Sequence, residues 1–261
     1  MRDPYFAVEA LSASGAKQLL QSPAHYRAWK DAPDAQTAAM VFGSVAHALV
    51  LEPERDDLFT IKPEGLDRRT KDGKAMWEEL VARGLPIIDM EDYYRACRVR
   101  DAVFAHPMAR ELLAGIDAEA SLQWRGYSAD VLCKAKVDGI GPGGIVDLKT
   151  TRDANPSRLS STIASFQYHL QAAHYQYGVA SDPGGPGLLP FTFIFVEAEA
   201  PFGVSVARLS DDAMQRGLDR MERAAELYAH CLSTGQWPAY EAVTHTVGLP
   251  AWASASSAEA A

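Results

Sequence analysis

Residues 133–151, CKAKVDGIGPGGIVDLKTT, constrain the fold more than any other stretch of the chain. Two strand-like runs flank a Gly/Pro turn at 141–144, the pattern of an antiparallel hairpin. Side chains alternate across a strand, so Lys134, Lys136 and Asp138 share one face while Cys133, Ala135 and Val137 share the other. The second run repeats this, with Asp147 and Lys149 on one face and Val146 and Leu148 on an apolar one. A closed hairpin brings Asp138 and Asp147 together with Lys149 beside them. Two carboxylates on adjacent strands form the partial oxygen cage that Mg²⁺ prefers, with positions left for water and a phosphate oxygen. A lysine two residues past the second acid can orient or help deprotonate the attacking water, or neutralise charge growing on the phosphate. The pattern points to metal-assisted phosphodiester hydrolysis. The plain alternative is a surface ion pair between Asp147 and Lys149.

The chain of 261 residues is long enough for one substantial domain, expected over 1–240, with a mostly disordered Ala/Ser-rich end over 241–261. An apolar fraction of 48% with 23% charged residues suits a soluble globular protein. No secretory pattern opens the chain and no apolar run is long enough to span a bilayer, so a cytoplasmic protein without a membrane partner is expected. Cys97, Cys133 and Cys231 are far apart and form no C-x-x-C, which argues against zinc, an iron–sulfur cluster or a disulfide framework. A net charge of −9 opposes a nucleic-acid partner unless the cations cluster. They do: Arg68, Arg69, Lys71 and Lys74 lie together, and Lys134, Lys136 and Lys149 accompany the acids. No nucleotide phosphate loop, nucleophile elbow or H-E-x-x-H occurs.

Apolar periodicity predicts helices over 14–30, 37–51, 70–83, 91–104, 107–113, 165–179 and 210–234. The helix over 37–51 is apolar almost all round and carries His47, whose ordinary reading is a hydrogen-bonded core histidine. Strands are expected over 85–88, 119–127, 128–137, 144–150, 191–197 and 203–209. In the helix over 165–179, Tyr168, Gln171 and Tyr175 align on one face, placed to contact a DNA backbone or to support the catalytic lysine.

Val137-Asp138 and Asp147-Leu148-Lys149 resemble the acid and D-x-K elements of the PD-(D/E)XK nuclease superfamily, with Val137 in place of its proline. Four further segments resemble the RecE-type (exodeoxyribonuclease VIII-like) exonucleases: LSASGAKQLLQSPAHY at 11–26, FGSVAHALVLEP at 42–53, DRRTKDGK at 67–74 and YHLQAAHY at 168–175. The resemblance runs from about residue 11 to about residue 240. It implies an α/β restriction-endonuclease-like core, a central mixed sheet of about five strands flanked by helices. It also implies a Mg²⁺ site, with Mn²⁺ as substitute, held by His47, Asp138, Asp147 and the Leu148 carbonyl, with Lys149 assisting the water. Arg68, Arg69, Lys71, Lys74, Lys134, Lys136, Tyr168, Gln171 and Tyr175 are the expected DNA contacts. The activity implied is 5′-to-3′ degradation of linear double-stranded DNA in phage-type recombination, by a ring-like homo-oligomer working with a single-strand annealing protein. An endonuclease or single-strand nuclease of the same superfamily, or a non-catalytic DNA-binding module, remain the alternatives. Digestion of linear against closed circular DNA separates them.

Overall fold

The structure is a computed structural model that describes residues 4–32 and 37–249; most of the Ala/Ser-rich end lies outside the described residues. Its centre is a five-stranded mixed sheet in the order β3 (Asp117–Gly126), β4 (Val131–Gly141), β5 (Gly144–Thr151), β6 (Phe191–Glu197) and β7 (Val204–Ala207). β3, β4 and β5 form an antiparallel meander, β5 pairs with β6 in parallel, and β6 with β7 is antiparallel. A two-stranded parallel ribbon, β1 (Thr60–Ile61) with β2 (Ile87–Ile88), stands apart from it.

Helices cover both faces, and each layer has its own core. On one side α2 (Ala13–Gln21), α3 (Pro23–Asp31), α9 (Tyr168–Ala180) and α10 (Asp211–Thr234) pack Leu19, Tyr26, Leu170 and Met221 against Cys133, Ala135, Val137, Phe193 and Phe195. On the other side α4 (Ala38–Leu51), α6 (Met90–Ala105) and α7 (Pro107–Leu113) pack Val45, Leu49, Val99 and Leu113 against Val146, Leu148, Ile194 and Val196. The parallel strands β5 and β6 are buried on both faces, which is why β6 carries the unbroken apolar run 193–196. No helix among the described residues is long and apolar enough to cross a membrane.

The helix expected over 14–30 is two helices. Ser22 ends α2 and caps α3, its side chain accepting from the His25 amide, and Pro23 lacks the N–H needed to continue α2. The helix expected over 165–179 starts at Tyr168, because Gln167 is left-handed at φ 52°; before it lies α8 (Pro156–Ser165), opened by Asn155 and Pro156. Residues 127–130, expected at the end of one strand and the start of the next, instead form the turn between β3 and β4, with Tyr127 and Asp130 both at positive φ. Short α1 (Pro4–Ala7), β1 and the exposed α5 (Lys71–Ala82), which buries only Leu80, complete the fold. The 141–144 turn closes the hairpin as read. Gly144 has φ 108°, and a Cβ there would lie 2.3 Å from the Pro190 carbonyl oxygen, so only glycine fits.

Candidate active site

The meander is regular until β4 meets β5. Their ladder runs from Gly141–Gly144 to Gly139–Val146 and stops there. One step further, Asp138 takes over the role of a backbone partner, its Oδ2 accepting from the Leu148 amide at 2.8 Å. On its other side the β3–β4 ladder skips the Glu119/Asp138 position, and Glu119 is left-handed at φ 55°. The alternation reverses across this break, with no shift of register: Leu122 and Trp124 face the α9 core, while Ala118 faces the α4 core. Glu119 is thereby turned into a cluster with His47 of α4 and Asp138, in which one ligand atom from each lies within 4.8 Å of the others.

Asp147 enters from the other layer. Its side chain is fully buried; Oδ1 touches the Lys149 ammonium at 2.5 Å and Oδ2 accepts from Gln171 Nε2 at 2.7 Å. This contact excludes the reading of Asp147–Lys149 as a surface salt bridge. It is a buried ion pair, and beyond Lys149 the Oδ1 atom has no partner among the described residues. Burial pushes both aspartates up to about 6: Lys149 pulls each back, and Asp138 raises Asp147 further. Burial would lower Lys149, but Asp147 and Asp138 outweigh it and hold the ammonium above its ordinary value. His47 Nδ1 is 3.6 Å from Asp138 Oδ2, and burial followed by Lys149 holds the imidazole below its ordinary value, in the neutral form that a metal requires.

A divalent cation fits this arrangement. Two carboxylates that repel one another, a buried Asp147 oxygen whose one neighbour is the Lys149 ammonium, a neutral histidine and a third acid form a hard, oxygen-rich donor set with excess negative charge. His47, Glu119 and Asp138 are the side chains grouped closely enough to hold it, with the Leu148 carbonyl adjacent to His47 and the Asp147 carboxylate, held by Lys149 and Gln171, coupled to Asp138.

The expected DNA contacts divide. Tyr168 is beside Lys149, whose ammonium is 5.0 Å from the ring centroid. Gln171 supports Asp147, and the half-buried Tyr175 is hydrogen-bonded to Gln171. Lys134 donates to the carbonyls of Tyr5 and Val8 at 2.9 Å and ties down the N-terminal segment instead of facing the acids. Lys136 is 3.0 Å from Glu119. Arg69 is held by Asp67 and Arg68 lies over Trp77 at 4.3 Å, while Lys71 and Lys74 are exposed at the start of α5. The sequence reading missed Glu119 and Lys17. The Lys17 ammonium is 5.3 Å from the Tyr168 centroid and has no carboxylate partner among the described residues. Burial, then Lys149, brings it down to about 8. Lys17 stood inside the 11–26 segment, but no spacing linked it to the acids.

Among curated proteins none matches this chain. Among solved structures, a "putative exonuclease" of Eubacterium rectale is similar over 93% of this chain and 90% of its own, with a TM-score of 0.63 and 16% identity. A phage-related exonuclease from Haemophilus somnus 129PT matches over 88% of this chain and 99% of its own, with a TM-score of 0.37 and 12% identity. The first likeness is one of fold. The model of the PDDEXK-like domain of unknown function (DUF3799) matches residues 12–246, which span the five-stranded core and every residue of the cluster, and the chain belongs to that PDDEXK-like family.

Proposed function

We propose that the protein is a divalent-metal-dependent deoxyribonuclease that degrades linear double-stranded DNA from its ends, with Mg²⁺ as the ordinary metal and Mn²⁺ as a substitute. The observation that carries this reading is the convergence of Asp138 and Asp147 at the gap between β4 and β5, with Lys149 against them and His47 and Glu119 closing the set. A bound divalent cation supplies Lewis-acid activation of water and of a phosphoryl oxygen. Lys149, kept charged by the aspartates, donates hydrogen bonds: it orients the attacking water and offsets charge building on the phosphate. Lys17 reaches the same Tyr168 ring as Lys149 and provides a second cation for phosphate oxygens. Gln171 holds Asp147 in the rotamer that presents Oδ1. The resemblance to RecE-type enzymes supports 5′-to-3′ polarity, a recombination role beside an annealing protein, and a ring-like oligomer in the cytoplasm.

The test is digestion of end-labelled linear DNA beside closed circular DNA, with Mg²⁺, Mn²⁺ or chelator. Loss of the linear substrate alone, only with metal, is the expected result. Asp138→Ala, Asp147→Ala and Lys149→Ala should each slow it by at least about 10²-fold. Full activity of Asp147→Ala in Mg²⁺ would overturn the assignment, and cutting of closed circles would make the enzyme an endonuclease.

A further inference from the structure

A groove of about 770 Å³ opens beside the cluster, walled by Phe42 of α4, Arg95 of α6, Thr150 and Arg152 after the catalytic lysine, and Phe166 and Tyr168 at the α8–α9 junction. Phe166 is unusual in this wall, being a phenylalanine left 59% exposed. The left-handed Gln167 after it turns the chain sharply into α9 and lays the Phe166 ring on Tyr168, with centroids 5.4 Å apart and planes inclined by 16°. Tyr168 in turn lies 5.0 Å from the Lys149 ammonium. A continuous aromatic step therefore leads from the reacting position to an open ring face.

The charges of the groove are mostly spent. Arg95 is paired with Asp92 and Glu199, and Asp153 with Arg158 at 3.4 Å. Arg152 is exposed, lines the groove, and has no acidic partner among the described residues. A flat π-face, threonine hydroxyls and one unspent guanidinium are the components with which single-stranded nucleic acid is held: stacking for the base, positive charge for the phosphate. A base inside an intact duplex offers no free face for this stacking.

We infer that the groove is a subsite for one unpaired nucleotide adjoining the cleaved bond, its base stacked on Phe166 and its phosphate facing Arg152. The inference rests on the nuclease reading above and deepens it.

The test is equilibrium binding of a short single-stranded oligonucleotide, with Ca²⁺ replacing Mg²⁺ so that it survives, each nucleotide in turn being made abasic. One position is expected at which removal of the base weakens binding about 5- to 100-fold. That loss should vanish in Phe166→Ala and persist in Phe166→Trp. Because the ring is exposed, both variants should keep the fold, which circular dichroism verifies. A flat abasic profile, no measurable binding, or the same loss in Phe166→Ala as in the parent would overturn the subsite. The parent's digestion of linear DNA in Mg²⁺ is scored separately: cleavage with a flat profile removes the subsite alone, whereas no cleavage of any DNA removes the nuclease reading.

Discussion

Glu119 shows how one backbone angle recruits a side chain. A left-handed conformation costs a non-glycine residue on the order of 1–2 kcal/mol, and such strain persists only where the surroundings enforce it. Here it ejects Glu119 from the ladder opposite Asp138 and turns it toward His47. Glu119→Gln keeps the shape and removes the charge, so it should lower Mg²⁺ affinity at least about tenfold with little change in the thermal midpoint; an unchanged Mg²⁺ titration would leave Glu119 as the partner of Lys136 only. Asp138 and Asp147 carry a second prediction. Raised to about 6, they bind protons more tightly in the folded chain, so without metal their contribution to stability is full below about pH 4 and is lost as pH rises through 6. Mg²⁺ competes for the ionised pair. The gain in thermal midpoint on adding Mg²⁺ should therefore be small at pH 5 and clear at pH 7.5, and equal gains by scanning fluorimetry would speak against metal at these acids.

At the scale of elements, what could be read in the sequence was local. The 133–151 hairpin, the buried helix of His47 and the face shared by Tyr168, Gln171 and Tyr175 each follow from alternation or helical spacing, and each is present. Glu119 was not legible because its role depends on the β3–β4 register and on a local break in the ladder, neither of which is encoded in spacing along one strand. Lys17 needed the docking of α2 against α9, a tertiary fact. The single helix over 14–30 was misread because its apolar stripe continues across Ser22 and Pro23, and there the capping chemistry decides. The basic cluster at the start of α5 is a finer case. Arg69 is engaged with Asp67 and Arg68 with Trp77, while Lys71 and Lys74 have no carboxylate partner among the described residues. If α5 holds DNA, Lys71→Ala with Lys74→Ala should flatten log affinity against log salt by about two units, and Arg69→Ala should change it little. An unaltered slope in the double variant would assign α5 to solvent.

Across the whole molecule the two layers carry different titrating groups. His174, buried between α9 and the sheet, accepts from the Tyr127 hydroxyl at 2.8 Å and donates to the Lys134 carbonyl at 3.1 Å; burial brings it down to about 4. Its sign is opposite to that of the aspartates. The neutral imidazole stabilises the fold fully above about pH 6.5, and that contribution, on the order of 3 kcal/mol, is lost as pH falls through 4. In chelator the two aspartates gain stability over the same fall in pH, so the test is a difference between proteins: His174→Asn should cost more urea stability at pH 7 than at pH 4.5, and an equal cost at both would place the sensitivity elsewhere.

The parting of β4 from β5 also has a mechanical meaning. Asp138, Glu119 and His47 ride on the layer packed by α4, and Asp147, Lys149 and Gln171 on the layer packed by α9, so the gap works as a caliper with one jaw seated in each core. A shift of α4 against the sheet moves His47 relative to the acids, and a shift of α9 moves Gln171 relative to Asp147. The candidate site is in this sense a gauge of how well two separate interiors are filled.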